Sequence, residues 1–213
     1  SVSFATAWFS GLVTAASVGR ASGFRFYSMP LLSPIDPGRS GASLLPALSL
    51  ATGGQYEGYA YMGLGFLGLA AIVAPLAIRR VRFDRVLAAQ LFPLLLCSIL
   101  FTLFALSTKI TAGSAVLLDL DPQERLSPYF GALRASGRFF WVPYYAILAA
   151  VLTAAFRLWG ARTATAIVAL ALAVQFVDTS RSRAWIRAGV SRGHPSPLIS
   201  PEWSTLGSRY RHL

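Results

Sequence analysis

Asparagine is absent from all 213 residues, which excludes N-glycosylation of this stretch. A single cysteine, Cys97, excludes a disulfide framework and a thiolate metal site. It lies inside an apolar run, where packing, not reactivity, is expected of it. Neither His194 nor His212 has a Cys or His pattern around it, so neither points to a metal. Charge is also scarce: 13% of residues are charged, against about 25% in ordinary soluble domains. Eight acidic residues face 19 basic ones, giving a net charge of +11. The basic residues sit between apolar stretches and form no continuous face with interleaved aromatics. Lipid phosphate, not nucleic acid, is therefore the expected partner. Lys109 is the only lysine, and this arginine bias reads as a GC-rich bacterial coding sequence. The start lacks a basic n-region and a small-residue cleavage site. Together with the abrupt stop after Arg211-His212-Leu213, this leads us to expect a piece of a longer protein.

What is abundant is apolar surface: 55% of residues are hydrophobic, with a mean hydropathy of +0.57. Five uncharged stretches, residues 2–18, 59–78, 86–106, 139–156 and 163–177, each approach the roughly 20 helical residues that a bilayer core requires. The expected fold class is all-α, a polytopic transmembrane bundle of five spans over residues 1–178. Two long extracytoplasmic loops and a basic tail, residues 179–213, entering a further extracytoplasmic domain would complete it. Pro30, Pro34, Pro37 and Pro46 keep the first long loop from being one helix. Tight hairpins are expected at Arg79–Arg85 and Phe156–Arg162. In the third span Gln90 should face protein. Ile110–Leu118 is apolar but too short to cross, so it is expected to lie in or re-enter the interface. Four arginines in Arg79–Arg85 favour placing that hairpin in the cytoplasm.

Few residues carry chemistry. Gly63-Leu64-Gly65-Phe66-Leu67-Gly68 matches a dinucleotide fingerprint, but within an apolar span its glycines point to close helix packing. Arg134 and Arg138, four apart, share a helix face just before Phe139, Phe140, Trp141, Tyr144 and Tyr145. Two guanidiniums in that relation suit a phosphate such as a polyprenyl-phosphate headgroup. The same residues also read as an aromatic belt with anchoring arginines. Glu57 reads either as the N-terminal cap of the second span or, with Asp36 as its only partner in the loop, as a general base. These two are the candidate catalytic residues. No cofactor is expected. Asp119, Asp121 and Glu124 are clustered enough for a divalent cation but lack the spacing of a calcium loop.

Ser33-Pro34-Ile35-Asp36-Pro37, Gln55-Tyr56-Glu57-Gly58-Tyr59-Ala60-Tyr61-Met62-Gly63-Leu64-Gly65 and Arg134-Ala135-Ser136-Gly137-Arg138-Phe139-Phe140-Trp141 resemble the motifs of a bacterial multi-pass membrane family of unassigned function. That family is distantly similar to GT-C-type glycosyltransferases. The stretch from Ser200-Pro201-Glu202-Trp203 to Leu213 resembles the entry to its extracytoplasmic domain. The resemblance implies a location in the bacterial cytoplasmic membrane, with long loops outside. It also implies a polyprenyl-phosphate-linked sugar donor in cell-envelope glycan synthesis. Neither Asp36 nor Glu57 belongs to the acidic pair that such enzymes carry, which places the catalytic acid outside this stretch. The alternative is a non-catalytic transport or envelope-assembly component.

Overall fold

The computed structural model describes residues 23–38, 44–80, 85–120, 135–192 and 202. Among the described residues four α-helices follow in chain order: α1 (Leu64–Arg80), α2 (Arg85–Leu106), α3 (Trp141–Asp178) and α4 (Ser180–Arg192). Between α2 and α3 lies an antiparallel hairpin, β1 (Lys109–Ala112) with β2 (Ala115–Asp119), pairing Lys109 with Asp119 and Ala112 with Ala115. Short 3₁₀ turns at Gln55–Gly58 and Ser136–Phe140 precede α1 and α3.

This corrects the all-α, five-span expectation. Among the described residues only Ala89–Leu106 and Ser136–Asp178 are long and apolar enough to cross a membrane. Residues 2–18 lie outside the described residues. The stretch at 59–78 forms a 17-residue helix that begins only at Leu64. Its first part is held out of the helix by loop contacts, such as the Met62 N–H donating to Pro34 O at 3.0 Å. The stretches at 139–156, from Trp141 onward, and 163–177 fall in one helical segment, α3, broken only where Gly160 takes φ 72° and ψ 171°. Leu69 and Val73 of α1 pack with Val151 and Ala155 before that break and with Ile167, Val168 and Ala171 after it. Residues 151 and 171 of an unbroken helix would lie about 30 Å apart, so the backbone reverses at Gly160. A single left-handed residue thus does what a longer connection was expected to do, and glycine adopts that conformation without steric cost. The apolar segment after α2 folds into a β-hairpin, and all of β2 is exposed.

The surfaces of these helices are unusual for a water-soluble protein. Phe92, Leu95, Ile99, Leu100 and Leu103 of α2 all point outward. An apolar helix with no polar face needs apolar surroundings, so its exposure supports association with a membrane. Gln90 and Cys97 are exposed as well, which corrects the protein-facing and packing roles expected of them. Of the polar groups on α2, the Thr102 hydroxyl satisfies itself by donating to Ser98 O at 2.7 Å.

Within the protein, α1 lies along both arms of α3. Gly65 allows the closest approach, since a Cβ there would overlap the carbonyl oxygen of Ala171. Gly68 meets nothing, so the packing expected of the three glycines is made by the first two. A second cluster joins Met29, Ala60, Ala105, Leu106 and Phe140 at the loop end of the helices. Phe139 closes it from the side, its ring 4.8 Å from Phe104 and 5.8 Å from Phe101.

Candidate functional site

Both loops converge on the end of the bundle where α1 begins and α3 finishes. Backbone bonds weave them together: the Met29 N–H donates to Ala105 O at 2.8 Å, the Leu31 N–H to Thr111 O at 2.7 Å and the Gly137 N–H to Tyr27 O at 3.1 Å. Three buried polar side chains finish the weave. Ser33 Oγ donates to Gly58 O at 2.6 Å and accepts from the Ala60 N–H at 2.9 Å. Gln55 Oε1 accepts from the Ala51 and Thr52 N–H groups, while its Nε2 donates to Thr111 Oγ1 at 2.7 Å. Ser136 Oγ donates to Phe24 O at 3.2 Å. Buried groups in irregular backbone must find such partners or lose about 1–3 kcal/mol each.

The candidate residues occupy this layer. Asp36 is buried, and its Oδ1 accepts from the Gly38 and Leu48 N–H groups, each at 3.0 Å. It fastens the loop around the Asp36-Pro37-Gly38 turn. Glu57 does not cap α1, which starts seven residues later, at Leu64. Its carboxylate instead forms an ion pair with Arg138, whose Nε donates to Glu57 Oε2 at 2.7 Å. Two glycines make this contact. A Cβ on Gly137 would lie 2.6 Å from the Cα of Gly58, so the two backbones touch and their neighbours Arg138 and Glu57 meet. Arg134, the other half of the expected clamp, lies outside the described residues, as do Asp121 and Glu124. Asp119 pairs with Arg25, and with Lys109 at 3.9 Å. Among the described residues no three His, Cys, Asp or Glu side chains come together to hold a metal ion.

Two residues of α3 that carried no special reading organise the start of α1. Asp178 is fully buried, and its Oδ2 accepts from the Tyr61 hydroxyl at 2.7 Å and from the Leu64 N–H at 3.1 Å. Gln175 Oε1 accepts from the Phe66 N–H at 3.4 Å. The first amides of a helix have no partner within it, and here the neighbouring helix supplies them. The i, i+3 spacing of Gln175 and Asp178 at the end of an otherwise apolar run was the available signal. Burial and the bond to Asp178 raise the pKa of Tyr61, so its phenol stays protonated and acts as a donor. Tyr59 is raised too, first by burial and then by the nearby Asp36, Tyr144 and Asp178.

The aromatic run after Arg138 divides. Phe139 and Phe140 turn into the core, whereas Trp141, Tyr144 and Tyr145 join Tyr59, Ala60 and Tyr61 around a cavity of about 190 Å³. Tyr144 and Tyr145 meet edge to face at 5.4 Å. The cavity therefore offers ring faces with hydroxyl groups at their edges. Arg138 lies three residues before Trp141, about one helical turn.

Residues 1–180 match the family described as Domain of unknown function (DUF6311), and the chain belongs to that family. No curated protein and no solved structure matches the chain.

Proposed function

We propose that this DUF6311 member binds a polyprenyl-phosphate-linked sugar at the loop end of its helices, as the membrane-embedded part of a GT-C-like glycosyltransferase. The observation that carries this reading is the aromatic cavity whose lining residue Trp141 follows Arg138 by about one helical turn of backbone. Ring faces receive the C–H faces of a sugar, phenols bond to its hydroxyls, and a guanidinium pairs with phosphate. Arg138 keeps one edge on Glu57 and has its other edge for a ligand; Arg134 is the second phosphate donor of the proposal. Asp36 and Glu57 are spent on loop amides and on Arg138, so this region contributes binding, and the base for sugar transfer comes from elsewhere in the protein. The same commitment of both carboxylates favours the second reading, an envelope-assembly component that holds the lipid-linked sugar without chemistry.

The site is the bacterial cytoplasmic membrane, with the loops on the outer side. Arg79 and Arg80 close α1 at the end away from the loops, where Gly160 also reverses α3 between Arg157 and Arg162. That arginine density next to helix ends belongs in the cytoplasm.

Binding of a polyprenyl-phosphate sugar analogue to the full-length protein tests the reading. Trp141→Ala and Arg138→Lys should each weaken binding by about tenfold or more, since an ammonium cannot reproduce the planar guanidinium fork. Unchanged affinity in both variants would end it. Sugar transfer to an acceptor by the same preparation separates the enzyme from the non-catalytic holder.

A further inference from the structure

A second, larger cavity of about 400 Å³ opens between the first loop and α4, walled by Pro30, Pro37, Leu50, Tyr59, Trp185 and Ile186. Ser33, Asp36 and Gln55 also border it, and each is already engaged inside the protein, Asp36 through its Oδ1. Ser33 serves Gly58 and Ala60, Asp36 serves Gly38 and Leu48, and Gln55 serves Ala51, Thr52 and Thr111. A lining of this kind offers an entrant contact surface and few unmet bonds, so it selects an apolar chain over a sugar or an ion.

The helix that covers the cavity points to the class of molecule. α4 reads SRSRAWIRAGVSR, with four arginines and no acidic residue. At about 100° per residue, Arg181 and Arg183 fall on the two edges of the face that Ser182, Trp185 and Ile186 present to the cavity. Arg183 is tied to the end of α3, its guanidinium 3.5 Å over the Phe176 ring and its Nη1 donating to Thr179 Oγ1 at 2.8 Å. Arg181 remains exposed at the edge of the cavity face, while Arg187, exposed as well, lies on the opposite side of the helix. Trp185 and Ile186 border the cavity and are still 68% and 55% exposed, which leaves apolar surface for an occupant to cover. Ser182 lies one turn beyond Asp178, the last residue of a candidate span, which sets the cavity about 6 Å past the apolar stretch. Acyl chains meet their headgroups at that height.

We infer that this cavity holds an acyl chain of an anionic phospholipid, with the phosphate on Arg181 at the edge of the cavity face. The inference does not depend on the sugar-lipid reading, which concerns the other cavity. The test reconstitutes the full chain in phosphatidylcholine vesicles with a trace of phosphatidylglycerol carrying a diazirine in its acyl chain, followed by irradiation and peptide mapping. Label is expected on residues 30–59 and 182–186, about tenfold above that from a phosphatidylcholine probe with the same chain. Leu50→Trp, which fills the cavity, should remove about nine-tenths of that label while labelling of the outward face of α2 is retained. Ile186→Asp, which adds no bulk but sets a charge against the chain, should do the same. Loss at the cavity with label kept on α2 therefore separates emptying the site from failure to insert. Cavity labelling that persists in both variants, or that is equal for the two headgroups, would overturn the inference. So would displacement by equimolar polyprenyl phosphate, which would assign the cavity to the carrier lipid.

Discussion

α2 and the woven loops at its end reverse the usual division of labour between helix and loop. Phe92, Ile99, Leu100 and Leu103 of the helix are between 56% and 61% exposed, although nothing about them is polar. Met29, Gln55, Thr111 and Ser136, all in irregular or short structure, are between 0% and 1% exposed. In a protein dissolved in water the helix would be buried and the loops wet. Here the dry interior is the loop layer, fixed by directional bonds between side chains and backbone. The helix keeps its apolar surface for its surroundings. Stability and specificity therefore reside in different places: hydrogen-bond geometry decides one end, and the solvent decides the other.

The contrast is open to attack from both sides. The sharpest blow falls on Asp178. Asp178→Ala strips the Tyr61 hydroxyl and the Leu64 amide of their acceptor, and two orphaned donors at about 1–3 kcal/mol each should cost about 2–6 kcal/mol. A thermal-unfolding series in detergent measures it, and a loss below about 1 kcal/mol would show that the joint is dispensable. On the opposing side, Ile99→Lys should be harmless if α2 meets water. Against lipid it should cost about 3 kcal/mol, read as failed insertion in a membrane-integration assay. Gly65→Ala comes next: its Cβ would overlap the Ala171 carbonyl, and forcing α1 away from α3 should cost about 1–3 kcal/mol.

Alkaline pH probes the loop end more gently. Because the folded-state pKa of Tyr61 is raised, the folded protein holds that proton while the unfolded chain releases it above about pH 10. Its contribution is fully present below about pH 10 and is lost as pH rises through the folded value. Tyr61→Phe should flatten that part of the stability profile; an unchanged alkaline slope would place the proton release elsewhere. The smallest effect is expected from Glu57→Gln. Arg138 is 60% exposed, so solvent screens the pair and the stability loss should stay at or below about 1 kcal/mol. A fall well beyond that in the same unfolding series would move Glu57 from the rim of the layer into its core.

How much of this was legible in the chain differs by region for a physical reason. Apolar runs without charge mark α2 directly, because twenty-odd residues suffice to state the pattern. The tight connection at residues 156–162 was legible as a reversal, but not that Gly160 alone would make it. The start of α1 was misplaced by five residues. Tyr59 to Gly63 read as apolar, yet their backbone is claimed by Pro34 and Ser33, about 27 positions upstream. For Arg138 the flanking aromatics were visible and the partner was not: Glu57 lies 81 residues away, brought near by the contact of Gly58 with Gly137. Short-range periodicity reports what a residue's surroundings must be. It cannot report which distant residue will supply a bond.

The acceptors at the head of α1 also impose an order of events during synthesis. The Leu64 N–H finds its partner in Asp178, 114 residues later in the chain. At about 5–20 residues per second, a ribosome needs roughly 6–23 s to reach it. Through that interval the first turn of α1 has no acceptor from its own chain at Leu64 or Phe66, while the apolar remainder of the helix is already made. The nascent protein therefore waits with one helix unlatched. The second arm of α3 is what fastens the first of the described helices, so truncating the chain before Gln175 removes the latch along with the end of a helix.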